Sequence, residues 1–238
     1  MKIDNVLMGS TLDPLYFDFW EPVSKVWKEK FNITPVLGLI TDRDTDMYET
    51  EFGFIKEFKA IDNVSISSQS QIVRMYLSKY LSGNCIISDI DMIPLSKKYF
   101  IDDLNIYDDN DVLVLSSHHY QTKHINQYPM CYVVGDSKNF DNIFNTNLDW
   151  CEFAEKVNDS SVDKWYSDQV FLYNCINEYG IEKVKFPYRS FTNDRVDRPY
   201  WVYDSVLVNN GHYIDSHLLR PYKYYQFEID KLIELIEK

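Results

Sequence analysis

The sequence predicts an α/β protein with a largely parallel sheet flanked by helices, closed around one core. Three observations predict it. Short apolar runs alternate with stretches of helical periodicity through the first half of the chain. The 238 residues are 45% hydrophobic and 16% aromatic, enough for one sizeable core and too apolar for a disordered chain. Seven glycines and eight prolines are scattered, and no repeat, low-complexity segment or linker divides the sequence. Residues 1–238 therefore read as one domain, with a regular first half (1–115), a more irregular second half (116–222) and a C-terminal helix (223–238).

The elements follow in order. "NVLMGS" (5–10) and "TPVLGLIT" (34–41) are apolar runs of strand length. Between them, Trp20, Val23, Trp27 and Phe31 recur at helical spacing in 18–31. A second helix is predicted over 68–81, with Val73, Tyr76, Leu77 and Tyr80 on one face and Gln71, Arg74 and Ser78 on the opposite stripe. "NCIIS" (84–88) and "DVLVLSS" (111–117) read as further strands. In the second half, 148–157 and 167–179 read as helices and 182–187 and 200–208 as strands. The last segment carries Ile229, Leu232, Ile233 and Ile236 at i, i+3, i+4 and i+7, the pattern of an amphipathic helix docked on the core.

Charge and composition exclude some classes of function. A net charge of −13 argues against wrapping nucleic acid or lying on an anionic membrane, both of which need basic surface. No window approaches the length of a membrane-spanning helix, and the first residues show no signal-peptide pattern. Cys85, Cys131, Cys151 and Cys175 lie far apart without CxxC spacing, so they read as free, mostly buried thiols in a reducing, cytoplasmic setting.

The stretch richest in chemistry is "GNCIISDIDMIPL" (83–95), where an apolar strand ends in Asp89 and Asp91. Ligands of parallel sheets bind beyond the carboxyl ends of the strands. Two carboxylates this close repel unless a positive group sits between them. On an extended chain they would share one side, with Ile90 turned to the core. A hard divalent cation, Mg²⁺ or Mn²⁺, would satisfy both. Pro94 would end the strand, since it cannot donate to a ladder. A bare pair of this spacing also reads as a solvated turn. The similarly spaced Asp42, Asp44 and Asp46 have Met47 where a calcium loop needs glycine and Gly53 where it needs glutamate, so they read as a polar loop.

The sequence around these aspartates resembles the GT-A nucleotide-sugar glycosyltransferases. "IISDIDMIPL" follows their pattern of apolar strand, DxD, apolar residues and proline, preceded by a helix bearing Arg74. "SDQVFLYN" (167–174) is similar to the DQ segment of glycogenin-like and bacterial galactosyltransferase enzymes, and "DSHLLRPY" (215–222) to their late histidine, basic residue, proline and aromatic. The pieces stand in the family's order across residues 1–222. The resemblance implies a single GT-A domain, a Rossmann-like mixed, mostly parallel sheet flanked by helices, whose first half binds the nucleotide sugar and whose second half faces the acceptor. It implies Asp89, Asp91 and His217 as ligands of Mn²⁺ or Mg²⁺, Gly9, Ser10 and Thr11 near the nucleotide, and Arg220 at the phosphates. The two residues between His217 and Arg220 lack the family's glycine spacing. Arg74 would contact the donor or pair with a carboxylate. Asp168 and Gln169 would lie at the donor sugar, with Asp168 as general base or sugar ligand; Asp168 also reads as a helix N-cap. The implied reaction moves a hexose from a UDP-sugar to a hydroxyl of a glycan or other acceptor, with a lean toward retention of configuration.

Other residues have plainer readings. His118, His119 and His124 gather after a strand end, where contact with sugar or acceptor is favoured over zinc because adjacent histidines diverge on an extended chain. His212 reads as a turn residue. Tyr120, Tyr128, Tyr132, Trp165, Tyr166, Tyr200 and Trp201 divide between core and an acceptor groove. The rival enzyme is a haloacid-dehalogenase-type Mg²⁺ phosphatase, whose later acidic motif is echoed by "GDSKNFD" (135–141). Against it, two strand candidates precede the DxD strand, and Ile93 stands where that family has threonine or valine. A non-catalytic nucleotide-sugar-binding module is the third reading.

Overall fold

In a computed structural model, which describes residues 1–115, 126–189 and 194–236, the predicted alternation becomes one mixed sheet with helices on both faces. The strands are β1 (Asn5–Thr11), β2 (Thr34–Thr41), β3 (Tyr48–Glu49), β4 (Phe54–Lys59), β5 (Asn84–Ile87), β6 (Met92–Pro94), β7 (Val112–Val114), β8 (Val133–Asp136), β9 (Val184–Lys185), β10 (Arg195–Asp197) and β11 (Asp215–His217). The helices are α1 (Pro14–Phe17), α2 (Trp20–Lys25), α3 (Ile66–Tyr76), α4 (Ser137–Phe144), α5 (Trp150–Asn158), α6 (Ser167–Tyr179), α7 (Ser205–Asn209) and α8 (Tyr222–Ile236). The main sheet runs β3-β4-β2-β1-β5-β8-β7-β9. Its centre, β4-β2-β1-β5, is parallel, and β8 is inserted antiparallel between β5 and β7. The chain steps outward from β1 to β2 and β4, then returns to lay β5 on the other side of β1. The order of strands therefore reverses between β1 and β5, and a crevice opens there at their carboxyl ends.

Both faces of this centre are buried, which is why β1 and β2 read as continuous apolar runs rather than alternating ones. Val6, Met8, Leu37 and Leu39 join one core layer with Phe19, Trp27, Phe100 and Tyr132, while Leu7, Val36 and Ile40 join the other with Val73, Tyr76, Phe153 and Phe171. Helix α3 starts at Ser65, whose side chain accepts from Ser68 N–H. It lies flat on β1 and β2 because Gly9 and Gly38 have no Cβ. A Cβ on Gly9 would stand 2.0 Å from Ser70 O, and one on Gly38 would stand 2.7 Å from Val73 Cγ2.

A second, three-stranded sheet, β10-β11-β6, sits at the crevice. Strand β11 pairs antiparallel with β6 and parallel with β10, placing His217 level with Met92 on one side and Asp197 on the other.

Several sequence expectations are corrected. The segment after β5 is not extended: Met92 N–H bonds Asp89 O across a turn at 90–91, and Pro94 ends the separate strand β6. The second helix stops at Tyr76 and tightens into a 3₁₀ turn over Leu77–Tyr80. Arg74 and Ser78 of its Gln71–Arg74–Ser78 stripe are buried. Residues 200–208 form no strand. Asp204 instead caps α7 by accepting from Val206 N–H at 2.7 Å. Strands β4 and β8 escaped the sequence reading; β4 buries Lys56 and Glu57, which hide its strand character. Asp136 in the "GDSKNFD" stretch is the N-cap of α4, accepting from Lys138 N–H, which accounts for that motif without phosphatase chemistry. The C-terminal helix docks Ile229 and Leu232 as expected. Cys85 and Cys175 are buried, Cys131 is half-buried and Cys151 is exposed, and all four are unbridged. Among the described residues, no helix is long and apolar enough to cross a membrane. His118, His119, Tyr120 and His124 lie outside the described residues.

Candidate active site

The crevice between β1 and β5 is a cavity of about 330 Å³. Gly9 and Ser10 line it from the end of β1, and Tyr16 from α1. Helix α3 contributes Ser67, Ser70, Gln71 and Arg74. The turn after β5 contributes Asp89, Ile90 and Asp91, and the start of α6 contributes Asp168 and Gln169. Met130, Cys131, Trp165, Arg198, His217 and Arg220 complete it. Of the predicted site residues, only Thr11 does not line the cavity; its hydroxyl accepts from Asp13 N–H just outside. Asn174, in the DQ segment, is exposed and also absent from the lining. Among the aromatics proposed for sugar contact, Trp165 lines the cavity with 54% of its surface exposed. Tyr128 and Tyr132 are core residues, and Tyr200 is exposed elsewhere.

Two strand pairings far apart in sequence assemble the polar centre. Strand β5 delivers Asp89, and the β6–β11 ladder brings His217 beside Asp91, locked by Leu218 N–H to Asp91 O at 2.9 Å. His217 Nε2 lies 3.6 Å from Asp91 Oδ2. Its Nδ1 meets both Asp197 Oδ1 at 3.1 Å and Arg198 Nε at 3.3 Å. One ring nitrogen serves one of them. Asp197 only accepts, so a proton on Nδ1 goes to Asp197 and leaves Nε2 facing the carboxylates. Burial lowers the His217 pKa, but Asp197 and Asp91 outweigh it and raise it above the usual value.

The positive groups between the carboxylates are arginines. Three of the chain's six arginines, Arg74, Arg198 and Arg220, line the cavity, in a protein of strong net negative charge. Arg74 pairs with Asp89 through Nη1 and with Asp168 Oδ2 through Nη2 at 2.8 Å, and its Nε donates to Gln71 O. Burial would push the Asp89 carboxyl up, but Arg74 holds it below the ordinary range. Burial dominates at Asp168 and at Asp91, and both are raised. Arg198 Nη2 donates to Asp91 Oδ2 at 2.8 Å, and Arg220 Nε stands 3.8 Å from the same oxygen. Arg220 also bonds Tyr16 OH and lies over its ring.

Asp168 is not an N-cap. Tyr166 occupies that position, and Asp168 sits within the first turn with Oδ1 accepting from Gln169 N–H at 2.8 Å. Both its oxygens are thus engaged. Among the described residues, Gln169 Oε1 is buried without a partner.

Sequence reasoning missed Arg198 and Asp197. A signal was present: "RPY" at 198–200 repeats the "RPY" at 220–222 that marks Arg220. Arg189 and Arg195 were also missed. Both close on the buried Asp215 at the foot of β11, at 2.5–2.9 Å, and anchor the strand that carries His217.

The residue types of a divalent-cation site meet in this cavity: two carboxylates, and an imidazole held by Asp197 so that Nε2 faces Asp91. That donor set fits Mg²⁺ or Mn²⁺. The spacing is not that of a closed shell. Among the described residues no three His, Cys, Asp or Glu side chains are drawn together around a metal position. To hold a cation, Asp91 would exchange Arg198 for it.

No protein-family model and no curated protein sequence matches the chain. Solved structures do. A galactosyltransferase, LgtC, in complex with donor and acceptor sugar analogs is similar over 98% of this chain and 95% of its own, with a TM-score of 0.52 at 11% identity. A glycosyltransferase involved in glycosylation of the major capsid of PBCV-1 aligns over 98% of this chain and 99% of its own, with a TM-score of 0.49 at 8% identity. The likeness to the galactosyltransferase, together with the mixed sheet and its switch point, establishes that this chain has the GT-A glycosyltransferase fold.

Proposed function

We propose that the protein is a metal-dependent glycosyltransferase that moves a hexose from a nucleoside-diphosphate sugar, a UDP-sugar in the first place, to a hydroxyl of a glycan or other acceptor. The observation that carries this reading is the meeting of Asp89, Asp91 and His217 in one cavity at the β1/β5 switch point. The LgtC structure, solved with donor and acceptor sugar analogs, supports it by fold.

In this reading Gly9 and Ser10 border the nucleotide, with Thr11 behind them. Asp89, Asp91 and His217 hold Mn²⁺ or Mg²⁺, which when bound would stabilise the leaving diphosphate as a Lewis acid. A cation is needed on charge grounds. Three lining aspartates already offset the three lining arginines, so an incoming diphosphate has little unpaired positive charge to meet. Arg74 holds Asp89 and Asp168 in place. Asp168, with both oxygens engaged, orients Arg74 and the donor sugar rather than taking a proton. Gln169 presents Oε1 to a sugar hydroxyl. Arg220, braced by Tyr16, faces the phosphates. Trp165 offers its ring to the acceptor sugar. Holding the acceptor hydroxyl against the anomeric carbon supplies much of the remaining acceleration. A cytoplasmic setting, where the four thiols stay reduced, belongs to the same reading.

The test is a panel of nucleotide sugars with Mn²⁺, scored for nucleotide release and for a rise in Tm on binding. At least one donor is expected to do both, and Asp91→Asn to remove the metal-dependent part of the rise. If no donor binds or turns over, the reading fails. Binding without turnover would make the chain a binding module, and hydrolysis of p-nitrophenyl phosphate without nucleotide would make it a phosphatase.

A further inference from the structure

Arg198 carries a donor that no group among the described residues satisfies. Its Nη2 is spent on Asp91, but its Nη1 is buried without a hydrogen-bond partner, and the side chain lines the same cavity as Ser10 and Ser70. A buried, unpaired N–H on a cation is costly, so such an atom at a cavity wall marks where a ligand acceptor completes the set.

The Asp91 oxygen that holds Arg198 is also contested. Arg198 Nη2, His217 Nε2 and Arg220 Nε approach Asp91 Oδ2 at 2.8, 3.6 and 3.8 Å. On the glycosyltransferase reading, on which this inference rests, Asp91 also belongs to the cation set. Arg198 and the cation then compete for one carboxylate.

We propose that Arg198 is a diphosphate-binding residue that rests on Asp91 in the free protein and moves to the phosphate oxygens of the nucleotide when Asp91 turns to the cation. The guanidinium fork is suited to this exchange, because carboxylate and phosphate present similar paired oxygens. Release of Asp91 by Arg198 favours the cation, and loss of Asp91 frees Arg198 for phosphate. Cation and nucleotide therefore bind with positive coupling, and the coupling is reciprocal.

The experiment uses calorimetry with UDP and with pyrophosphate in saturating Mn²⁺, uridine as the phosphate-free control, and Mn²⁺ alone followed by its electron paramagnetic resonance signal. In Arg198→Ala, affinity for UDP and pyrophosphate is expected to fall about 10- to 100-fold, the loss of charge-assisted hydrogen bonds. Uridine binding stays unchanged, and Mn²⁺ alone binds more tightly because Asp91 has lost its competitor. Arg198→Lys, which keeps the charge and loses the fork, should fall between and serves if the alanine variant does not fold. A merely structural arginine would weaken Mn²⁺ and UDP together; that result, or unchanged UDP affinity in both variants, overturns the proposal while leaving the glycosyltransferase reading intact. A wild-type protein that binds neither UDP nor pyrophosphate overturns both.

Discussion

Replacing Asp215 by asparagine should show how the site is held together. The Asp215 carboxylate is fully buried and accepts four hydrogen bonds, two from Arg189 at 2.5 and 2.9 Å and two from Arg195 at 2.8 Å each. Asparagine keeps the size but removes the charge, and it turns an amide N–H₂ toward one guanidinium. The buried Arg189 and the half-buried Arg195 then face each other with less compensation. Breaking a buried pair in this way costs about 3–5 kcal/mol. For a chain of this size that corresponds to a fall in Tm of roughly 6–20 °C. The pH dependence separates this cause from packing. Burial pushes the Asp215 carboxyl up, but Arg189 and Arg195 outweigh it and hold it far below the usual carboxylate range. A depressed folded pKa gives stability that is complete above the unfolded value of about 3.9 and is lost as pH falls through the folded one. The gap between wild type and Asp215→Asn should therefore stay constant from pH 7 to pH 5 and narrow only below about pH 4. Urea denaturation across that range measures it. A loss under about 1 kcal/mol, or a gap already closing between pH 7 and 5, would refute the argument.

Three further outcomes are expected. Gly9→Ala puts a Cβ 2.0 Å from Ser70 O, so α3 must lift from β1; a loss of about 1–3 kcal/mol should appear as a lower urea midpoint at unchanged slope, and an unchanged midpoint would contradict the close packing. On the metal reading, Asp197→Ala removes the acceptor that orients the His217 ring, and affinity for Mn²⁺ should drop about 10- to 100-fold with Tm barely altered; an undiminished affinity would remove Asp197 from the site. Trp165→Ala should raise the acceptor KM about 2- to 10-fold at similar kcat, whereas equal losses in kcat would place the ring at the reacting centre instead.

What the sequence determined by itself was the local part. Apolar runs at 5–10, 34–41 and 84–88 announced strands because both sheet faces are covered, so the hydrophobic signal is continuous and strong. The order of motifs pointed to the GT-A fold, and the abrupt end of the apolar run at Asp89 marked a sheet terminus where ligands bind. Tertiary structure decided the rest. Residues 54–59 carry buried Lys56 and Glu57, whose charges Asp44 and Arg43 compensate from outside the strand, so no local pattern revealed β4. Residues 200–208 looked apolar enough for a strand, but the Asp204 cap won. Arg74 read as a donor contact or the partner of a carboxylate, and only the convergence of Asp89 and Asp168 on it from elements 15 and 94 residues away shows which carboxylates it pairs and explains its burial. The same holds for Arg198, whose partner Asp91 is 107 residues distant. Charge pairing acts over ångströms in space and leaves no period in the sequence, so the apolar pattern could announce where the cavity lies but not which cations would answer its carboxylates.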